Sequence, residues 1–183
     1  MDQSPPQTEP TPAQRRRSRL RAALAIAAML AFSVWLLRFD FAALGGYGYL
    51  GVFGLMLLGN ATVFVPAPAF VVAFAAGQTL NPWLVGLVSG LGAGLGETTG
   101  YFVGVQGRKA AADQSRLTKI LEYVRRWGAL AVFLFAALPN PLMDVAGIAA
   151  GLLRMPFWKY LLACCAGKTI RFTLLALTGY GLT

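Results

Sequence analysis

The sequence contains no histidine, only two cysteines and few charged residues. Without histidine, the chain lacks the usual proton shuttle near neutral pH and the commonest protein ligand for metals. Cys164 and Cys165 are adjacent within an apolar run, which does not suit a structural disulfide. The sequence also lacks a convincing spacing of nucleophile and base. We therefore expect no enzyme activity, no cofactor and no metal site.

Charged residues make up only 13% of the chain, whereas soluble domains usually contain about 25%. Hydrophobic residues make up 57% and fall in runs of membrane length, and the mean hydropathy is +0.60. This pattern predicts an all-α integral membrane protein of the cell membrane, with its membrane domain at 20–183. The net charge is +9. Because the basic residues lie mostly between apolar segments, we assign them to topology and anionic headgroups rather than to nucleic acid.

The N-terminal residues 1–19 are polar, basic and proline-rich, and they predict a disordered tail. Five arginines at 15–21 lead into an apolar run, for which we predict a transmembrane helix at 20–38. A cleaved signal peptide is the competing interpretation. The long leader and the lack of a clear cleavage site favour a retained helix. The arginine cluster predicts a cytoplasmic N-terminus.

Two later apolar stretches are interrupted by residues that a membrane helix tolerates poorly. Proline removes a backbone donor and clashes with the preceding turn, so each interruption predicts two half-helices that meet at a bend. Broken backbone at membrane depth is stable only inside protein or beside a wet cavity. We therefore predict re-entrant hairpins at 45–80 and 128–153. The hairpin breaks are Pro66, Pro68, Pro139, Asn140 and Pro141.

The two hairpins correspond to each other in order and spacing. Each contains a Pro-x-Pro break, then an Ala-Gly pair ending at Gly77 or Gly151, and then a proline five residues later, at Pro82 or Pro156. An ionisable residue lies fifteen positions beyond each of these last prolines. The shared order and spacing predict an internal repeat.

The segments after the hairpins complete this repeat. Long transmembrane helices are predicted at 82–106 and 155–180, and a basic amphipathic helix at 107–127 is expected at the cytoplasmic surface. With a cytoplasmic N-terminus, the two units then run in opposite directions across the membrane. Inverted repeats of broken helices are typical of transporters, in which the binding site lies near the midplane.

Four ionisable residues lie inside apolar segments, namely Glu97, Asp144, Lys168 and Arg171. Each charge costs ~2.5–3.5 kcal/mol or more at the bilayer centre, so such residues face a cavity or pair with one another. Counting helical rise from the flanking prolines, Glu97 and Arg171 each lie ~22 Å from opposite surfaces, whereas Lys168 and Asp144 are more central. We predict that Asp144 pairs with Lys168 or Arg171 and that Glu97 needs another partner or a proton. A structural ion-pair cluster joining the two halves is the alternative.

Several short motifs carry a resemblance to a known family. Glu97, Gly100, Tyr101, Gly104 and Arg108 form one motif, and residues 150–155 with Gly167 form the rest. Across residues 45–180 the chain resembles the DedA family, also called the VTT-domain or SNARE-associated Golgi protein family. The resemblance implies two inverted re-entrant hairpins and the movement of phospholipid or polyprenyl-phosphate lipid across the bilayer. It also implies that embedded acids and arginines couple transport to protons.

The sequence leaves three functions open. In a lipid transporter or scramblase, Lys168, Arg171 or Arg154 would meet an anionic headgroup. In a proton-coupled carrier of another small solute, Glu97 or Asp144 would carry the proton. In a non-transporting membrane scaffold, the charges would only hold the fold together. The expected partners are anionic membrane lipids and coupling protons, and the oligomeric state, including a homo-oligomer, stays open.

Overall fold

The computed structural model describes Ala23 and residues 27–61, 69–107, 114–139 and 143–182. These residues form nine α-helices and one 3-10 turn, so the described part of the chain has the predicted all-α fold. The helices are α1 (Ala27–Leu37), α2 (Tyr47–Ala61), α3 (Ala69–Thr79), α4 (Pro82–Gly96), α5 (Thr98–Val105), α6 (Gln114–Trp127), α7 (Ala129–Ala137), α8 (Met143–Leu152) and α9 (Phe157–Tyr180), with the turn at Ala42–Leu44.

Helix α9 is the one described helix that is long and apolar enough to cross a membrane by itself. Four shorter helices, α1, α2, α3 and α8, are also apolar. The tail at 1–19 and the breaks at Pro66, Pro68, Asn140 and Pro141 lie outside the described residues, as does Arg108. Pro139 is described, and it is an exposed residue directly after the C-cap of α7.

The helix predicted at 82–106 is divided in two. Asn81 caps the start of α4, where its side-chain oxygen accepts from the Trp83 N–H at 3.0 Å. Helix α4 ends at Gly96, and α5 begins at Thr98, so that Glu97 lies between the two helices. The hydroxyls of Thr98 and Thr99 donate to carbonyls three residues earlier, at 2.7 and 3.1 Å. Such side-chain bonds compete with the helical backbone bonds and favour a bend at Glu97.

Helices α4 and α9 form the central contact of the fold. Three glycines of α4, four residues apart, lie against three residues of α9 that also recur every four positions but in reverse order. The facing pairs are Gly86 with Thr173, Gly90 with Thr169, and Gly94 with Cys165. The two helices therefore run antiparallel, and the missing side chains let their backbones approach closely.

The helices from α2 onward pack either on this pair or on one another. Helix α2 packs on α4 and α7 packs on α9, while α3 packs on α9 and α8 packs on α5. Helix α6 lies over α8 and α7. Its apolar residues Leu117, Ile120 and Val124 are buried in the core, whereas Arg125 and Arg126 are exposed.

The contacts of α2 with α4 recur between α7 and α9. A Cβ added at Gly92 or at Gly167 would come within 2.5 Å of a phenylalanine carbonyl oxygen on the neighbouring helix. It would also meet the residues three and four positions beyond that phenylalanine. These neighbours are Phe53, Met56 and Leu57 for Gly92, and Phe133, Ala136 and Ala137 for Gly167.

The contact between α3 and α9 likewise recurs between α8 and α5. In each contact, both helices contribute one glycine. A Cβ added at either glycine would meet a residue of the facing helix, and this residue lies three positions before that helix's own glycine. Gly77 meets Ala176 and Gly179 meets Phe74 in the first contact, while Gly151 meets Tyr101 and Gly104 meets Ile148 in the second. The same local packing arrangement therefore occurs twice among the described helices.

These contacts predict that Gly167→Ala destabilises the protein by about 1–3 kcal/mol, because the added methyl group has to displace α7. The matched control is Gly54→Ala on α2, since no atom lies within 4 Å of the Cβ position there. Removing a helical glycine at that open position should be neutral or stabilising, by up to ~1 kcal/mol. Unfolding of both purified variants in detergent measures the difference, and equal effects would contradict the close packing of α7 on α9.

Candidate functional site

Glu97 and Lys168 form a buried salt bridge. The Lys168 Nζ lies 2.6 Å from the Glu97 Oε1, and the two side chains are only 2% and 9% exposed. Lys168 comes from the middle of α9, and Glu97 occupies the break between α4 and α5. Because an isolated charge at this depth is costly, the two charges stabilise each other in the apolar interior.

Further polar groups complete the environment of this pair. The Lys168 Nζ donates to the Asn60 Oδ1 at 3.0 Å, and the Cys164 thiol donates to the Glu97 Oε2 at 3.5 Å. The Tyr160 hydroxyl donates to the backbone oxygen of Glu97 at 3.2 Å. Both carboxylate oxygens are thus engaged, and one network joins α2, α9 and the break between α4 and α5. We call these five residues the polar cluster.

Glycines explain why three helices can meet at the polar cluster. A Cβ at Gly96, directly before Glu97, would lie 2.9 Å from the Cβ of Asn60. A Cβ at Gly94 would collide with Cys165 of α9. The absence of side chains at these positions lets α2 and α9 approach α4 on two sides, so that Asn60 and Lys168 both lie close to Glu97.

Arg171 lies one turn beyond Lys168 on α9 and has different partners. Its guanidinium carbon is 4.2 Å from the centroid of the Phe70 ring and 5.6 Å from that of Phe172. One terminal nitrogen donates to the Leu138 carbonyl oxygen at 3.4 Å. Its Nε is buried and has no hydrogen-bond partner among the described residues. No acidic side chain in the described ranges forms a salt bridge with it.

The partners of Arg171 flank both predicted hairpin breaks. Phe70 lies in the first turn of α3, just after the undescribed residues 62–68. Leu138 caps the end of α7, just before the undescribed residues 140–142. A single arginine of α9 therefore contacts the chain beside the first break and beside the second.

The predicted charge pairing was wrong. Lys168 pairs with Glu97 rather than with Asp144, so Glu97, which we expected to need another partner or a proton, is bound to the lysine predicted for Asp144. Asp144 is exposed in the first turn of α8, where a carboxylate interacts favourably with the helix dipole. It forms no salt bridge within the described residues. The helical rise measures depth along one helix, but it does not reveal which helices touch at that depth.

Arg154, the fifth predicted site residue, lies apart from the polar cluster. It is exposed at the end of α8 and has a left-handed backbone, with φ of 50°. Its N–H donates to the Gly151 oxygen, and the next N–H donates to the Ala150 oxygen, as in a common helix C-terminal motif. No contact within the described residues joins its side chain to Glu97 or Lys168.

Sequence reasoning missed three members of the polar cluster and both aromatic partners of Arg171. Asn60, Tyr160 and Cys164 make hydrogen bonds around the ion pair, and Phe70 and Phe172 lie beside the guanidinium. A signal for two of them was present, because Tyr160, Cys164 and Lys168 recur every four residues on one face of α9. Within the described ranges, no group of three or more histidine, cysteine or acidic side chains is arranged to hold a metal.

Most of the residues of this site lie in a part of the sequence that matches a known protein family. The VTT domain model matches residues 65–181, a range that includes Glu97, Lys168 and Arg171. The chain therefore belongs to the VTT domain family and is a membrane protein, and the family resemblance of the sequence is confirmed.

Several curated proteins are similar to parts of the chain. Vacuole membrane protein KMS2 of Arabidopsis thaliana is 31% identical over 100 residues, which are 44% of this chain and 24% of that protein. Vacuole membrane protein KMS1 of the same plant is 31% identical over 109 residues, or 48% of this chain and 26% of that protein. The chain thus aligns with only about a quarter of either plant protein.

A relative of similar length comes from an archaeon. The uncharacterized protein MJ0201 of Methanocaldococcus jannaschii is 28% identical over 131 residues, which are 68% of this chain and 79% of that protein. No solved structure matches the chain.

The buried salt bridge predicts a coupled effect of mutations. Glu97→Gln or Lys168→Met alone should destabilise the protein by about 3–5 kcal/mol, because each leaves the other group buried without its partner. The double variant should lose clearly less than the sum of the two single losses. Unfolding in detergent measures all three, and Lys159→Gln, an exposed change on the same helix, is the control expected to stay within about 0.5 kcal/mol. Strictly additive losses would contradict the pairing.

Proposed function

We propose that this chain is a multi-pass membrane protein that moves anionic lipids, either phospholipid or polyprenyl-phosphate lipid, across the bilayer as a transporter or scramblase. The observation that carries the proposal is the position of Arg171, which contacts the described residues on the edges of both hairpin breaks. Broken helices at membrane depth are where transporters place their binding sites.

The two cations of α9 have different roles in this proposal. Lys168 forms a salt bridge with Glu97 and a hydrogen bond with Asn60, so its charge already has partners within the protein. Arg171 is half-buried and its described contacts are two aromatic rings and one carbonyl oxygen. A guanidinium presents several donors in a plane that matches a phosphate group. Arg171 is therefore the residue that we assign to the lipid phosphate.

The proposed topology is an inverted repeat with the N-terminus in the cytoplasm. One unit contains α2, α3 and the α4–α5 pair, and the other contains α7, α8 and α9. The repeated glycine contacts support this relation, since Gly92 and Gly167 have equivalent neighbours at equivalent spacing. The antiparallel course of α4 and α9 is what two oppositely directed units require. The described residues Phe70 and Leu138, which flank the two predicted breaks, both contact Arg171.

The buried ion pair holds the two units together in this proposal. Glu97 belongs to the first unit and Lys168 to the second, and their salt bridge is shielded from water. This observation also favours the scaffold function in one respect, because a buried pair of this kind can serve stability alone. Proton coupling through Glu97 stays a prediction from the sequence. Lipid flip-flop in liposomes separates these functions.

Purified protein in liposomes should accelerate the flip-flop of labelled anionic phospholipid. Arg171→Gln should slow it by about tenfold or more, because a hydrogen bond to a charged group contributes about 1.5–3 kcal/mol. Arg171→Lys, which keeps the charge but not the planar donors, should be intermediate. Lys159→Gln is the matched control, since it removes an exposed cation from the same helix.

Each other outcome points to a specific alternative. Normal flip-flop in a folded Arg171→Gln variant would exclude this arginine as the phosphate-binding residue. Absence of flip-flop with every labelled lipid, together with a solute flux that Glu97→Gln abolishes, would favour the small-solute carrier. Full cellular function of a Glu97→Lys/Lys168→Glu exchange, without any lipid movement, would favour the scaffold.

A further inference from the structure

An apolar groove lies between α6 and α7. Its volume is about 430 Å³, a size typical of small-molecule sites. Tyr123 and Trp127 of α6 form one wall, and the other wall belongs to α7. This second wall consists of Ala131, Leu134 and Phe135 of α7 and its C-cap residue Leu138. Since these four recur at helical spacing, they form a continuous strip along one side of α7.

Two basic residues of α6 lie close to Tyr123 around the helix axis. Helical geometry puts Lys119 and Arg126 within about 60° of Tyr123 around the axis of α6, and Arg125 about 160° away. All three are exposed. The acid of this helix, Glu122, lies about 100° from Tyr123 on the side of these two cations, one turn from each, and forms no salt bridge with the other described residues. The groove therefore has apolar walls, and the two cations lie next to its Tyr123 wall by helical position.

We propose that this groove binds an acyl chain of an anionic phospholipid whose phosphate contacts Lys119 and Arg126. Amphipathic helices with basic faces bind anionic lipids through this combination of apolar burial and charge attraction. Tyr123 and Trp127, which are 56% and 52% exposed, suit the boundary between acyl chains and headgroups. A second copy of the chain is a poor occupant, because its own net charge is +9 and it would be repelled by the same cations.

The groove lies near Arg171 but contains no residue of the polar cluster. Its far end is Leu138, whose carbonyl oxygen accepts the hydrogen bond from Arg171. A lipid held here would lie beside the second hairpin break. The binding itself does not depend on transport, so the groove and the proposed function can be tested separately.

Fluorescence quenching can locate the acyl chain. The chain has four tryptophans, so a variant with Trp35, Trp83 and Trp158 replaced by phenylalanine reports on Trp127 alone. A second variant that keeps only Trp83, which is 66% exposed, reports on ordinary lipid contact. Both are placed in phosphatidylcholine vesicles containing brominated phosphatidylglycerol or brominated phosphatidylcholine. We expect brominated phosphatidylglycerol to quench Trp127 more strongly than brominated phosphatidylcholine, and to show no such preference at Trp83.

Neighbouring arginines provide a matched control. Lys119→Gln and Arg126→Gln should each lower the relative affinity for phosphatidylglycerol at Trp127 about fivefold, whereas Arg125→Gln should leave it unchanged. Soluble glycerol phosphate should not compete, because it lacks the acyl chain. Equal quenching by both lipids, an equal loss in Arg125→Gln, or competition by glycerol phosphate would overturn the proposal. So would protection of Trp127 from every lipid, which would mean that protein covers the groove.

Discussion

The close contact between α4 and α9 is the constraint on which the rest of the structure depends. Two helices in a lipid environment gain little from the hydrophobic effect when they associate, so their affinity comes from packing at short range. The glycines at 86, 90 and 94 permit this packing by leaving space for Thr173, Thr169 and Cys165. Once these backbones are close, α2 and α3 on one side and α7 on the other can pack against the central pair.

The buried ion pair is a consequence of this packing. A carboxylate and an ammonium group are tolerated in an apolar interior only when they meet each other and have further hydrogen-bond partners. Here the end of α4 brings Glu97 against α9, where Lys168, Cys164 and Tyr160 lie on one helical face. The two cations in the middle of α9 therefore have different partners. Lys168 is paired with Glu97, whereas Arg171 contacts Phe70 and Leu138, which flank the predicted breaks.

Particular residues show where prediction from the sequence worked. The apolar runs and the Pro-x-Pro breaks led to helices in the described parts of both predicted hairpins. Intramembrane charge identified Glu97, Lys168 and Arg171 as residues of interest. Prediction failed at their pairing, because Asp144 turned out to be exposed at the start of α8. It also missed Cys164, whose thiol donates to Glu97.

The sequence by itself determined the all-α membrane class, the family and the positions of most helices, because these depend on local composition and on spacing along one chain. Only the tertiary structure decided which charges meet. Glu97 and Lys168 are 71 positions apart in the sequence, and their contact depends on two helices crossing at glycines. The break at Glu97 has a local cause instead, since the hydroxyls of Thr98 and Thr99 donate to carbonyls three residues earlier. Periodicity describes one helix at a time, whereas pairing is a property of the whole packed bundle.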